Sequence, residues 1–277
     1  MAFKISVASA HDVARMTGWA AEEGWNPGNT DRLAFQATDP GGFLVGRLDG
    51  VPVVSISVVR YGAGFGFLGY YIARPEVRGK GLGLQVWNAG MARLQGRNVG
   101  LDGVVAQQGN YAKSGFRLAW NNVRHEGTPT EAPPPAGVTL VDACELAFDR
   151  LAAYDRRFFP EARDAFLSPW ISLPERRALV ALKDGEIAGF AVARAARAAS
   201  RIGPLYAASP EIAHALASAL AEGKPVAIDA PDRNAAAMTL MQRLGLAPAF
   251  ETARMYTGPE PATDMAALYG VASFELG

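Results

Sequence analysis

The chain has one cysteine, Cys144, in 277 residues, which excludes an internal disulfide framework and any cysteine-based metal site. None of the three histidines, His11, His125 and His214, lies near it in sequence, so a thiol–imidazole nucleophile has no support, and Cys144 is expected to be a buried apolar residue. Net charge is also missing: 27 Lys and Arg balance 27 Asp and Glu at a pI near 6.9. No global field recruits nucleic acid or an anionic membrane, and neither is an expected partner. No apolar run approaches the ~20 residues of a membrane span. The opening "MAFKISVASAHDVARM" lacks a positive region ahead of an apolar core, so a cytoplasmic location is expected.

The sequence does contain enough apolar material for real cores, with 49% hydrophobic against 19% charged residues. Its length exceeds the usual single-domain size of about 100–200 residues. The proline-rich stretch "EGTPTEAPPPAG" has no apolar periodicity and reads as a linker. Three regions follow: a first module over 1–126, a linker over 127–137 and a second module over 138–277.

In the first module the expected order is β-α-α-β-β-β, a glycine-rich turn, then α-β-α-β. A hairpin turns at Asp49-Gly50, and Leu84, Trp87, Met91 and Leu94 mark one face of a helix. The hairpin recurs: "LVGRLDGVPVV" aligns with "LVALKDGEIAG" at an offset of 135 residues. Two copies of one fold explain this better than two unrelated domains.

The turn sits in "YIARPEVRGKGLGLQVW", Tyr71 to Trp87, between a strand and a helix. Free backbone amides and a helix dipole at that place suit an anion, and Arg78 and Lys80 add positive charge. A P-loop is excluded because Gly81, not Ser or Thr, follows Lys80, and a dinucleotide fingerprint because Leu84 stands where its last glycine belongs. Spacing alone leaves an anion cradle and a simple tight bend equally open.

The string "YIARPEVRGKGLG" resembles the coenzyme A signature of the GNAT superfamily of N-acetyltransferases, with Arg78, Gly81 and Gly83 at the matching positions. "NYAKSGF" resembles a second family element through Tyr111, Lys113, Gly115 and Phe116. The resemblance implies an α/β fold of mixed α+β type: two tandem GNAT-like modules, each a mixed, mostly antiparallel sheet flanked by helices. It implies acetyl-CoA as cosubstrate, with no metal. Ile72 and Ala73 would pair with the pantetheine arm, and Gly79, Lys80, Gly81, Leu82 and Gly83 with Arg78 would hold the pyrophosphate. Asn110 stands near the family's cofactor-contacting asparagine, although adjacent to the tyrosine instead of several residues ahead of it. Tyr111 would protonate the departing thiolate.

The second module keeps Asn234, Ala237, Leu240 and Gly245 of the later element, but Met241 replaces the tyrosine and cannot donate a proton. At the gapless offset its turn positions become Ala213, Leu216 and Ser218, so it is expected to have lost the cofactor, which leaves it free to wall the acceptor pocket. Many family members carry a glutamate on the strand before the turn. "FGFLGYYIA" has none, which leaves the base unassigned. Acceptor contacts are expected from Glu22, Trp25 and Asn26 between the first two helices and from Tyr206 and Asp229 at strand ends of the second module. The expected activity is acetyl transfer to the amine of a small or amino-acid-like molecule. The alternative is a coenzyme A-binding sensor without transfer.

Overall fold

The computed structural model describes residues 2–277. The first half runs β1 (Phe3–Val7), α1 (Ala10–Glu22), α2 (Asp31–Thr38), β2 (Phe43–Leu48), β3 (Val51–Tyr61), β4 (Phe65–Ala73), α3 (Leu82–Arg93), β5 (Asn98–Val104), α4 (Gln108–Lys113) and β6 (Arg117–Gly127). The second runs β7 (Val138–Asp142), α5 (Phe148–Asp155), α6 (Asp164–Ser172), β8 (Arg176–Lys183), β9 (Glu186–Arg194), β10 (Ser200–Ala207), α7 (Pro210–Ala221), β11 (Val226–Pro231), α8 (Ala235–Arg243), β12 (Ala247–Tyr256) and β13 (Leu268–Gly270). Among the described residues no helix is long and apolar enough to cross a membrane.

The repeat read from the sequence is a repeat of structure. β1, β3 and β4 begin at Phe3, Val51 and Phe65, and β7, β9 and β10 begin 135 residues later at Val138, Glu186 and Ser200. Both hairpins close on the same left-handed pair, Asp49 (φ 48°) and Gly50 (φ 85°) in one and Asp184 (φ 52°) and Gly185 (φ 81°) in the other. That backbone matches the twist of the flanking strands, which is why Asp-Gly recurs there. Helix α1 starts at a capping box, Ser9 accepting from the Asp12 amide while Asp12 accepts from the Ser9 amide.

The halves share one sheet instead of keeping one each. Its strand order is β1-β2-β3-β4-β5-β12-β6-β11-β10-β9-β8-β7, with β13 pairing on β10. The last long strand of each half is inserted into the other. β12 lies between β5 and β6, with Met255 opposite Leu101 and Thr252 opposite Asn122. β6 lies between β12 and β11, with Ile228 opposite His125. His125 is therefore buried, its Nδ1 3.0 Å from the Val123 carbonyl. The proline-rich stretch is fastened to the second half: the Thr130 amide donates to Leu244 O, and the Ala132 amide to Ser218 Oγ.

Packing seals the exchange. On one face Phe35 of α2 stacks with Phe166 and Trp170 of α6 in an apolar core that spans both halves. Buried ion pairs also cross the boundary. Arg254 of β12 chelates Asp102 of β5 at 2.8 and 2.6 Å, Asp31 of α2 accepts from Arg176 and Arg194, and Arg124 of β6 donates to Asp229 of β11 at 2.7 Å. Burial raises the Asp31 and Asp229 carboxyls, but the paired guanidiniums outweigh it and hold both below the ordinary 3.8, so both are ionised at neutral pH. Removing one partner would leave a buried uncompensated charge.

Residues 2–127 expressed alone should therefore aggregate or stay unfolded, since β5 and β6 lose ladder partners and Arg124 loses Asp229. Co-expression with 128–277 should restore a one-to-one complex on size exclusion. A monomeric, cooperatively unfolding 2–127 fragment would contradict this account.

Candidate active site

β4 and β5 run parallel from Phe65–Asn98 to Leu68–Leu101 and then part. Beyond Leu68 the β5 side of β4 is free. The β3–β4 register slips between Ser55 and Ser57, and Tyr70 takes a left-handed backbone (φ 45°), a bulge that re-aims the strand where it leaves its neighbour. The gap opens into a cavity of about 820 Å³. Its floor is Gly69 to Ala73, and one wall carries Asp102, Asn110 and Tyr111. Arg78, Gly79, Gly81 and Gly83 form the mouth, and Trp25, Phe250, Thr252, Phe274 and Glu275 close the far end.

The glycine turn is built as an open cradle. Gly79 (φ 74°) and Gly81 (φ 75°) are left-handed, and a Cβ placed on either meets nothing within 4 Å. Gly81 caps α3 without a side-chain hydrogen bond, so the first-turn amides keep their donors for a ligand. Arg78 lines the cavity, with Nε donating to Ala73 O at 2.8 Å and Nη2 to Glu23 at 2.5 Å. Lys80 of the turn and Leu82, the first residue of α3, stand outside the cavity lining. Tyr111 stacks on Trp87 with centroids 5.7 Å apart, and burial, with the neighbouring Tyr71, pushes its hydroxyl up to about 12.

The second half carries no such cradle. Eight residues, 74–81, separate β4 from α3, but only Ala208 and Ser209 separate β10 from α7. Ser209 Oγ accepts from the Ile212 amide and so occupies the helix end itself. Ala213, Leu216 and Ser218 therefore lie inside α7 and are not turn positions; the loop is shortened away and not merely substituted. The cleft is filled as well. β10 and β11 pair from Ser200–Val226 to Ile202–Ile228 and part, and β13 enters there with Leu205 opposite Gly270 and Tyr206 opposite Leu268. The Val271 amide donates to Asp229 O across the gap at 2.9 Å.

These facts sort the expected acceptor residues. Trp25 faces the cavity. Glu22 pairs with Arg74 outside it. Asn26 is a clamp, its amide bonded to Ala199 O at 2.9 Å and to the Ala198 amide at 3.1 Å, which ties the α1–α2 loop to the other half and so holds Trp25 in place. Tyr206 is buried away from the cavity, stacked on Phe158 at 3.7 Å and accepting from Arg163 at 3.0 Å. Asp229 is locked between Arg124 and Arg201, also outside. Both fall out because the strand ends that carry them face a cleft filled by β13. Cys144, expected in a core, is exposed on a short turn after β7.

Part of the site had no sequence signature. After β13 the segment "VASFELG", residues 271–277, is buried throughout and crosses to the first half. Tyr61 donates to Leu276 O at 2.9 Å and Ser57 to Glu275 O at 3.4 Å. Gly69 is required by this approach, since a Cβ there would lie 2.3 Å from Glu275 O.

Residues 10–116 match the acetyltransferase (GNAT) family and residues 151–270 an acetyltransferase (GNAT) domain. The holothin acyltransferase of Pseudoalteromonas sp. (strain SANK 73390) is 33% identical over 264 residues, 94% of this chain and 89% of that protein. The chain belongs to the GNAT acetyltransferase family. It is a tandem GNAT protein and an acyltransferase, not a mere coenzyme A-binding sensor. In fold it is similar to a putative acetyltransferase from Pyrococcus horikoshii (TM-score 0.83, 20% identity, 99% of this chain and 96% of that one). A tandem GNAT protein from the clavulanic acid biosynthesis pathway also matches (TM-score 0.62, 17% identity, 94% of this chain and all of that one, 100%).

Gly69→Ala should lower stability by about 1–3 kcal/mol through overpacking. It should also make residues 271–277 releasable by carboxypeptidase; an unchanged urea midpoint and a resistant end would refute the packing described.

Proposed function

We propose that this GNAT protein transfers an acetyl group from acetyl-CoA directly to the amine of a small molecule, using the first half alone for the donor. The observation that carries this reading is the asymmetry between the two clefts: one is open and leads from a glycine cradle to Tyr111, and the other is closed by the chain itself. The open cleft fits coenzyme A. The cradle has room at Gly79 and Gly81 for a pyrophosphate, and Gly69 to Ala73 offer a strand edge to the pantetheine amides. When bound, the thioester supplies an activated acyl carbon at the β4 bulge.

Backbone amides at that bulge polarise the carbonyl. Tyr111 then steadies the departing sulfur. Its hydroxyl stands near 12, above a thiol of about 8.5, so its main contribution is a hydrogen bond to the sulfur as the C–S bond breaks. The relative's name assigns acylation of holothin to that protein. For this chain a compact acceptor is supported by the aromatic far end, Trp25, Phe250 and Phe274, which leaves room for a small apolar body beside the reacting centre.

Gly81→Val should weaken acetyl-CoA binding by about tenfold or more in calorimetry, because a β-branched residue resists positive φ and its side chain enters the cradle. Retained affinity would put the donor elsewhere. Tyr111→Phe should lower kcat by about 10- to 100-fold with the KM for acetyl-CoA unchanged. An unaffected rate would remove Tyr111 from the mechanism.

A further inference from the structure

Three carboxylates line the cavity: Glu23, Asp102 and Glu275. Two are committed. Glu23 accepts from Arg78 at the mouth. Both Asp102 oxygens are taken, Oδ1 by Asn122 Nδ2 and Arg254 Nε at 2.8 Å each and Oδ2 by Arg254 Nη2 at 2.6 Å. The Glu275 carboxylate accepts no hydrogen bond from any described residue, although the residue is only 3% exposed. A buried acid without a partner is costly unless it serves a ligand. On the same lining Thr252 Oγ1 is buried without a partner.

Resting on the acyl-transfer reading above, we infer that Glu275 is the catalytic base, receiving the acceptor's ammonium and taking its proton. The second half delivers it. Its own cleft is threaded by β13, and the segment that follows crosses to the first half, where the Glu275 carbonyl abuts Gly69 next to the Tyr70 bulge. Phe274 is held below two guanidiniums, Arg124 at 5.1 Å and Arg201 at 5.6 Å, which orients its neighbour.

The surroundings raise the Glu275 carboxyl and so strengthen it as a base. Burial raises the Glu275 carboxyl, with Asp31 of α2 adding to it, while Arg201 of β10, Arg194 of β9 and Arg124 of β6 pull it down; the net direction is up from the ordinary 4.5. Tyr70 of β4 faces it as a neutral phenol, its own hydroxyl raised well above 10 by burial. The three arginines are shared with Asp31 and Asp229, so none is free to neutralise Glu275 outright.

The step balances. Glu275 takes one proton from the ammonium, and the freed nitrogen lone pair forms the C–N bond as the C–S bond breaks. The sulfur leaves as a thiolate that accepts a hydrogen bond from the Tyr111 hydroxyl and takes up its proton from solvent; the nitrogen's second proton passes to solvent, and Glu275 later releases its own.

Glu275→Gln is compared with wild type by free-thiol release from acetyl-CoA and a primary alkylamine between about pH 5 and about pH 9, with acetyl-CoA affinity and thermal midpoint measured in parallel. The expected loss in kcat is about 100-fold or more, with acetyl-CoA affinity held within about threefold. The wild-type kcat/KM for the amine should fall on the acid side as Glu275 takes up a proton. In the variant the plateau above that limb should be lost, and kcat/KM should climb about tenfold per pH unit up to the amine's own pKa. An unchanged kcat, or a lowered kcat with a kcat/KM profile that still levels off where wild type does, overturns the assignment and leaves acyl transfer standing. A wild type that binds acetyl-CoA yet releases no thiol across an amine panel overturns the reading beneath it, and this one with it. If the variant does not fold, wild type decides: an acceptor whose amine is already neutral above about pH 5 should show a flat profile, and an acid limb equal to that of the alkylamine overturns the assignment.

Discussion

The exchange of β6 and β12 is the constraint on which the rest of the molecule depends. Each half supplies a strand that the other half's sheet surrounds on both sides, so neither half closes its ladder alone. The pairing also brings Arg254 of one half onto Asp102 of the other, and Arg124 onto Asp229. A buried charge stranded by separation would cost several kcal/mol, about the scale of a whole domain's stability. Docking is thus part of folding, and the geometry between halves is set by hydrogen-bond register.

That rigidity lets two copies of one fold diverge in task. The first keeps an open cleft, while the second has shortened the eight-residue turn to two residues and filled the gap with its own β13. A filled cleft is more than a lost site, because β13 fixes the path of the residues after it. The segment 271–277 leaves on the side of the first half and becomes one wall of the remaining cavity. The closed cleft in one copy and the added wall of the cavity in the other share one structural cause.

Much of this was legible in the sequence. The Asp-Gly turns, the strand starts repeating at 135 residues, the glycine turn and Tyr111 are local patterns, and the chain obeys them where local backbone preference decides. The sequence misleads where a gapless offset runs past a deletion, as at Ala213 to Ser218, and where strand ends meet a filled cleft instead of an open one, as at Tyr206 and Asp229. Asn26 was placed near the acceptor for its position and proves to be the clamp that holds Trp25.

The sequence by itself determined the family, the doubling and which copy keeps the glycine turn, because glycine spacing and turn chemistry act within a few residues of backbone. Only the tertiary structure decided that the halves interlock, that the second cleft is closed from within, and that Glu275 reaches the first cavity with its carboxylate unpaired. Those facts depend on strand pairing between residues more than sixty positions apart, and register at that range leaves no periodic trace in the chain.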